Sequence, residues 1–534
     1  MNRNALGLMA ALFLAGCASP KHQEHQAAGG PRRLGNHTFP ITTASPAAQK
    51  AFDRGLIWTF AFAHHAAQTE FQRAAELDPN CAMAYWGIAL INGPHINFPM
   101  VPEPRAKAAW EALNRARELA PRGNRLEQAL IRALEKRYAW PQPEDRSGLD
   151  MAYAEAMAEV WREFPDNADV GALYAEAEMD LHPWDLWKEG APQPWTENIV
   201  RTLERVLELN PRHPGANHYY IHAVEASNTP ERALAAARRL DRLVPDSSHL
   251  VHMPSHIYAR VGLWAEAARS NERAMRADAR YRQAYPRPGF YALYMAHNTH
   301  FLAFTAMMRG RSEEAIRLAR EMVAAIPPEF IREYAGVVDG FTVFVPEVLM
   351  RFGRWEEILN EPAPPDGLPL ARAKWHFTRA TALTVLNRFD EAHRERRAFT
   401  EAAARIPETS TFGNNSARDL AAIAALVLDG RCRPKRATWL RPSPGWSRQS
   451  SWRTSCATTN RPTGSNLSGI PWELFSCGRA NPKRPNRCIG TIWPGCLKTV
   501  GRCWALARRS APSRNWRRHR GFRHGSNKPG RQPT

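Results

Sequence analysis

His218 and His222 stand four residues apart, His252 and His256 likewise, and the second pair follows the first by 34 residues. On an α-helix a spacing of four puts both imidazoles on one face, and Glu225 falls within about 60° of the first pair. His249 shares the face of the second pair, and His297 with His300 forms a third group. Neutral imidazole suits Zn, Cu, Fe and Ni, and a carboxylate beside it either ligates directly or orients a ligating ring from outside. The candidate metal set is therefore His218, His222, Glu225, His249, His252, His256, His297 and His300, with Zn, Cu or Fe as the candidate ion. A hydrogen-bonded, packed histidine layer copied by duplication is equally compatible with the spacing. So is a polar groove for a peptide or sugar, lined by Tyr219, Tyr294, Asn298 and by His182 of the polar turn Asp180–Asp185. Clustered imidazoles also carry a smaller expectation of switching near pH 6 by mutual repulsion. No His-Glu-x-x-His, CxxC pair, phosphate-binding glycine loop or nucleophile elbow is present, so no residue is assigned a catalytic role.

The elements that must position these rings are helices. Between about Thr42 and Asp429 the chain is rich in Ala, Leu, Glu and Arg, all good helix formers. Pro79, Pro121, Pro165, Pro211, Pro245, Pro327 and Pro407 mark helix ends, because proline cannot extend the ladder. Second helices open on a Gly-x-x-x-Glu-Ala signal, as in Gly262–Ala267 and Gly310–Ala315. Two insertions interrupt the rhythm, Gly93–Pro104 and Tyr281–Phe290. Trp58, Trp86, Trp264 and Trp355 fall at packing positions.

A 34-residue period with Gly55, Ala67, Phe71, Ala74 and Pro79, followed by Trp86-Gly87, resembles the tetratricopeptide repeat (TPR) family. The resemblance covers most of residues 42–430 and points to a divergent, histidine-rich subfamily. It implies an all-α, right-handed α-solenoid of helix hairpins whose first helices line a concave face. It also implies a protein, peptide or small polar ligand as partner, and no catalysis. Binding of metal by the histidines is the alternative function.

The N-terminal segment reads as an export signal. Arg3 precedes the apolar run Ala5–Leu14, which is too short to span a bilayer. Leu14-Ala15-Gly16-Cys17 resembles the lipobox of bacterial lipoproteins, which implies cleavage after residue 16 and acylation of Cys17. With Ala18 following, the resemblance implies an outer-membrane anchor facing the periplasm. Residues 17–41 read as a flexible tether.

The formal charge of +20 is unevenly placed. Arg431–Thr534 holds 23 Lys+Arg and one acid, Glu473, for a net +22; the rest carries 72 − 23 = 49 basic and 52 − 1 = 51 acidic residues, for a net −2. Six of the eight cysteines (Cys432, Cys456, Cys477, Cys488, Cys496 and Cys503) lie in this tail. Its Arg, Pro, Ser, Trp and Cys richness resembles GC-rich DNA translated out of frame. Shifting the frame lets Arg487–Ala505 read as VYRDDLARLPENGRSLLG, an amphipathic helical pattern. Three of those letters are forced: alanine from Trp493-Pro494, leucine from Cys503-Trp504 and glycine from Trp504-Ala505. Residues 431–534 are therefore read as a disordered, non-native tail from a frameshift near Gly430, not as a basic tail for nucleic acid or anionic lipid. Sequencing the gene across the codons for Val427–Arg436 in several isolates should recover the repeat frame; a consistent unshifted read would refute this origin.

Overall fold

The computed structural model describes residues 33–431. The lipobox with Cys17 and the basic tail lie outside the described residues. Within them the chain is all-α, apart from the short ladders Trp187–Lys188 with Ala191–Pro192 and Thr411–Phe412 with Asn415–Ser416. Helix hairpins follow one another as a TPR-like α-solenoid. Most of the marked prolines fall two residues past a helix end: Leu77, Leu119, Glu163, Leu209 and Leu243 precede Pro79, Pro121, Pro165, Pro211 and Pro245.

The first hairpin explains the small-residue pattern. Its helix Pro46–Phe60 begins at Ser45, whose hydroxyl accepts the Ala48 N–H at 3.2 Å. Phe71, on the second helix His64–Leu77, is fully buried between Gly55 and Gly87. A Cβ built at Gly55 would meet the Phe71 ring at 2.6 Å, and one at Gly87 at 2.4 Å. Both glycines are therefore required by close approach. Trp58 and Trp86 are core residues, whereas Trp264 and Trp355 are only partly buried. Cys81 is buried and free, the one cysteine among the described residues.

The histidine groups sit on the first helices of three successive hairpins: Pro214–Val224, Ser248–Arg260 and Ala292–Met308. The middle one is interrupted at Met253, because Pro254 has no N–H to continue the ladder. His256 instead donates its N–H to the Met253 carbonyl at 3.1 Å. Met253 keeps helical angles (φ −50°, ψ −38°), so His252 and His256 still face the same side.

Two expectations change. The tether read over residues 17–41 is packed from residue 33 onward. Leu34 and Phe39 are buried, the Arg33 N–H donates to Asp246 at 2.9 Å, and His37 meets Asp169 at 2.8 Å. The polar composition of the stretch hid these few anchors. The expected concave groove is also filled by the chain itself. The Phe60 carbonyl reaches His218, and Phe62, at positive φ (53°), lies against His218, His222 and His249. The two insertions meet where Phe98 packs on Phe290, with ring centroids 4.5 Å apart.

Gly87→Ala should destabilise the fold. Helix propensity favours alanine by about 1 kcal/mol, but overpacking against a buried ring costs about 1–3 kcal/mol. Thermal denaturation should show a lower midpoint, partly restored when Phe71→Leu is added; a rise in midpoint would show that Phe71 yields freely.

Candidate metal centre

The protons of the central rings are assigned by their partners. His218 Nδ1 donates to the Phe60 carbonyl at 2.7 Å, and His252 Nδ1 donates to Asn271 Oδ1 at 2.7 Å. The Asn271 amide is oriented by its own N–H donating to the Ala267 carbonyl at 2.8 Å. His256 Nδ1 donates to Glu225 Oε2 at 2.7 Å and His222 Nδ1 to Oε1 at 3.3 Å, both within a buried pocket. These oxygens only accept, so each Nδ1 carries its ring's proton and each Nε2 presents a lone pair.

Two of those lone pairs converge: His252 Nε2 and His256 Nε2 lie 2.8 Å apart. His218 Nε2 lies 3.1 Å from Nε2 of His249, whose Nδ1 has no partner, so in the absence of metal His249 donates its Nε2 proton to His218. Two neutral rings with Nδ1–H cannot hydrogen-bond through Nε2 and Nε2. The 2.8 Å contact needs a cation between them, either a shared proton or a metal ion. His222 Nε2 and both ring nitrogens of His297 are buried with no hydrogen-bond partner. Burial first, and neighbouring rings second, hold His218, His249, His252 and His297 well below the ordinary imidazole range, so they stay in the neutral form a metal needs. Burial opposes ionisation of Glu225, yet His256 and His222 outweigh it and keep the carboxyl well below the usual carboxylate range.

Not every expected residue joins this layer. His300 turns against Phe344 and Phe341, with centroids 4.4 and 5.7 Å away, and burial followed by Lys374 pushes it down to about 3. Tyr219 and Tyr294 are buried against Phe62 and His249, and the Asn298 amide donates to Asp278 at 2.8 Å. They pack the layer instead of lining an open groove. His182 stacks on Trp195 at 3.6 Å and lines a cleft with Trp184, Trp187, His222 and Glu225. His95, from the first insertion, stacks on Phe62 at 4.2 Å and accepts the Asn97 N–H on Nδ1 at 3.2 Å.

A further trio, His37, Asp169 and His213, also brings ligand atoms close together. Its proton assignment is the opposite. His213 caps the Pro214–Val224 helix by accepting the Ala216 N–H on Nδ1 at 3.0 Å. The proton therefore sits on Nε2 and is donated to Asp169 at 3.2 Å, leaving no lone pair for a metal. This trio is a latch between the N-terminal segment and the repeats. Its members stand alone in the sequence, although a polar residue before Pro214 is a helix-start signal that would have located the cap.

The fold and site define a TPR-like α-solenoid with a buried histidine layer. No family model and no curated protein matches the chain. Several solved structures do match it. The human IFIT1 dimer with m7Gppp-AAAA aligns at 12% identity and a TM-score of 0.38, over 73% of this chain and 82% of that one. The apo quorum sensor NprR of B. thuringiensis aligns at 12% identity and 0.34, over 66% and 97%. Yeast Tom70 aligns at 12% identity and 0.31, over 76% and 77%. These likenesses concern the fold alone.

Burial lowers the affinity of His213 for a proton, with Asp169 opposing in part. The unfolded chain then takes up a proton near pH 6.5 that the folded chain does not. The corresponding stability is present above that pH and is lost as pH falls below it, by up to about 1.4 kcal/mol per unit. His213→Asn keeps a capping oxygen and removes the titration. Urea midpoints of wild type should fall relative to the variant between pH 7.5 and 5.5; a constant difference would refute the assignment.

Proposed function

We propose that this chain is an envelope-anchored TPR-like scaffold that holds a transition metal in its histidine layer. The observation that carries the reading is the 2.8 Å approach of two Nε2 lone pairs, on rings whose Nδ1 protons are committed elsewhere. Glu225 supports it from outside the ligand shell, accepting from His222 and His256 as carboxylates do behind metal-bound histidines. The ligand atoms are neutral imidazoles without thiolate, a set that suits Zn, Cu or Fe. Elemental mass spectrometry on the exported protein should find bound metal, and chelation should lower its melting temperature. His218→Ala/His252→Ala should lose the metal. Metal-free wild-type protein after supplementation would overturn the reading.

A second reading rests on the cleft. Half-buried His182, Trp184 and Trp187 surround an opening with room for a water-sized polar group, and present their rings at its rim. TPR-like solenoids commonly present such surfaces to protein or peptide partners.

The envelope anchor rests on the lipobox-like Leu14–Cys17. Labelled palmitate should be incorporated and the protein should sediment with membranes, both effects disappearing in Cys17→Ser. A wild-type protein that stays unlabelled would refute the anchor.

A further inference from the structure

The histidine layer divides into two groups that share no residue. His218, His222 and His249 bring ring nitrogens within 4.8 Å of one another, and so do His252, His256 and His297. Each group is built alike. Two rings four residues apart come from one hairpin's first helix, and the third comes from the first helix of the next hairpin. The second group is the first displaced by one repeat.

We propose that the layer is a pair of three-histidine metal sites that bind two transition-metal dications side by side, with Glu225 as their shared outer carboxylate. The inference rests on the metal-binding reading above and adds the number of ions and the role of Glu225.

Distances support a site in each group. Metal–nitrogen bonds of about 2.0 Å in tetrahedral geometry put ligand nitrogens roughly 3.3 Å apart. The pairs at 3.1 Å in one group and 2.8 Å in the other are close to that value. The third nitrogen of each group, within 4.8 Å, needs a ring shift of up to about 1.5 Å. Third ligands are available: His222 Nε2 in the first group and His297 in the second are buried and unpartnered. The six rings thus form two sets of three whose ligand nitrogens each gather within 4.8 Å.

Glu225 joins the two. One carboxylate oxygen accepts from His222 of the first group and the other from His256 of the second. It thereby sets the tautomer of one ligand in each site. It is also a single negative charge beside two dications, so the pair favours a small anionic ligand as well. His222 and Glu225 line the cleft with His182 and Trp184, and the cleft has room for about one water-sized molecule. Of the six ligand rings His222 alone lines the cleft, so it admits a water-sized anion on the side of the first group.

The test is a titration of the chelated, refilled full-length protein with Co²⁺, followed by visible absorption and elemental analysis. Wild type should take up two equivalents. His249→Ala and His297→Ala should each keep one, with circular dichroism confirming the helical fold. Glu225→Gln presents an amide N–H to one of its two rings and should weaken uptake at that ring's site about 10–100-fold. One equivalent in wild type overturns the two-site inference and leaves metal binding standing; none overturns both. Complete loss of metal from a folded His249→Ala or His297→Ala protein would mean one shared site and also overturns the inference. Should either variant fail to fold, wild-type stoichiometry decides alone.

Discussion

A buried carboxylate with two oxygens and two imidazole donors governs the interior of this protein. Glu225 is 5% exposed and remains ionised because His222 and His256 each give it an N–H. A buried charge without partners would cost several kcal/mol. Those bonds hold the proton of each ring on Nδ1, and Asn271 does the same for His252. The Nε2 lone pairs of His252 and His256 therefore face each other at 2.8 Å, a polar problem that a cation resolves.

The solenoid makes this arrangement repeatable. Stacked hairpins place equivalent residues of neighbouring repeats next to one another, so a histidine pair written twice in register becomes two adjacent pairs in space. His249 and His297 then complete each group from the following repeat. The contrast with His37, Asp169 and His213 shows that proximity alone is insufficient. There the lone pair of Nδ1 is spent capping a helix, and the trio works as a latch.

Closure of the layer comes from elsewhere in the chain. Phe60 and Phe62, at the end of the first helix and the turn after it, stand 158 residues before His218 in the case of the Phe60 carbonyl bond. The insertions meet through Phe98 and Phe290, and His95 lies on Phe62. Water is kept from the rings on most sides, which is why burial lowers their proton affinity. The cleft beside His182 leads to His222 and Glu225.

Local patterning determined the helical architecture. Gly55, Ala67, Phe71, Ala74 and the proline stops are nearest-neighbour features, and a solenoid is built from nearest-neighbour contacts. The helical face shared by His218 and His222, and by His252 and His256, was legible for the same reason: four residues make about one turn. Only the tertiary structure decided what those rings meet. Whether Nδ1 or Nε2 keeps the proton depends on Phe60 and Asn271, which no helical period links to the histidines. The burial of Tyr219, Tyr294 and Asn298, the departure of His300 toward Phe344, and the packing of residues 33–41 follow from long-range contacts of the same kind. Spacing along a chain specifies direction from a helix axis; the occupant of the space in that direction is specified by the rest of the fold.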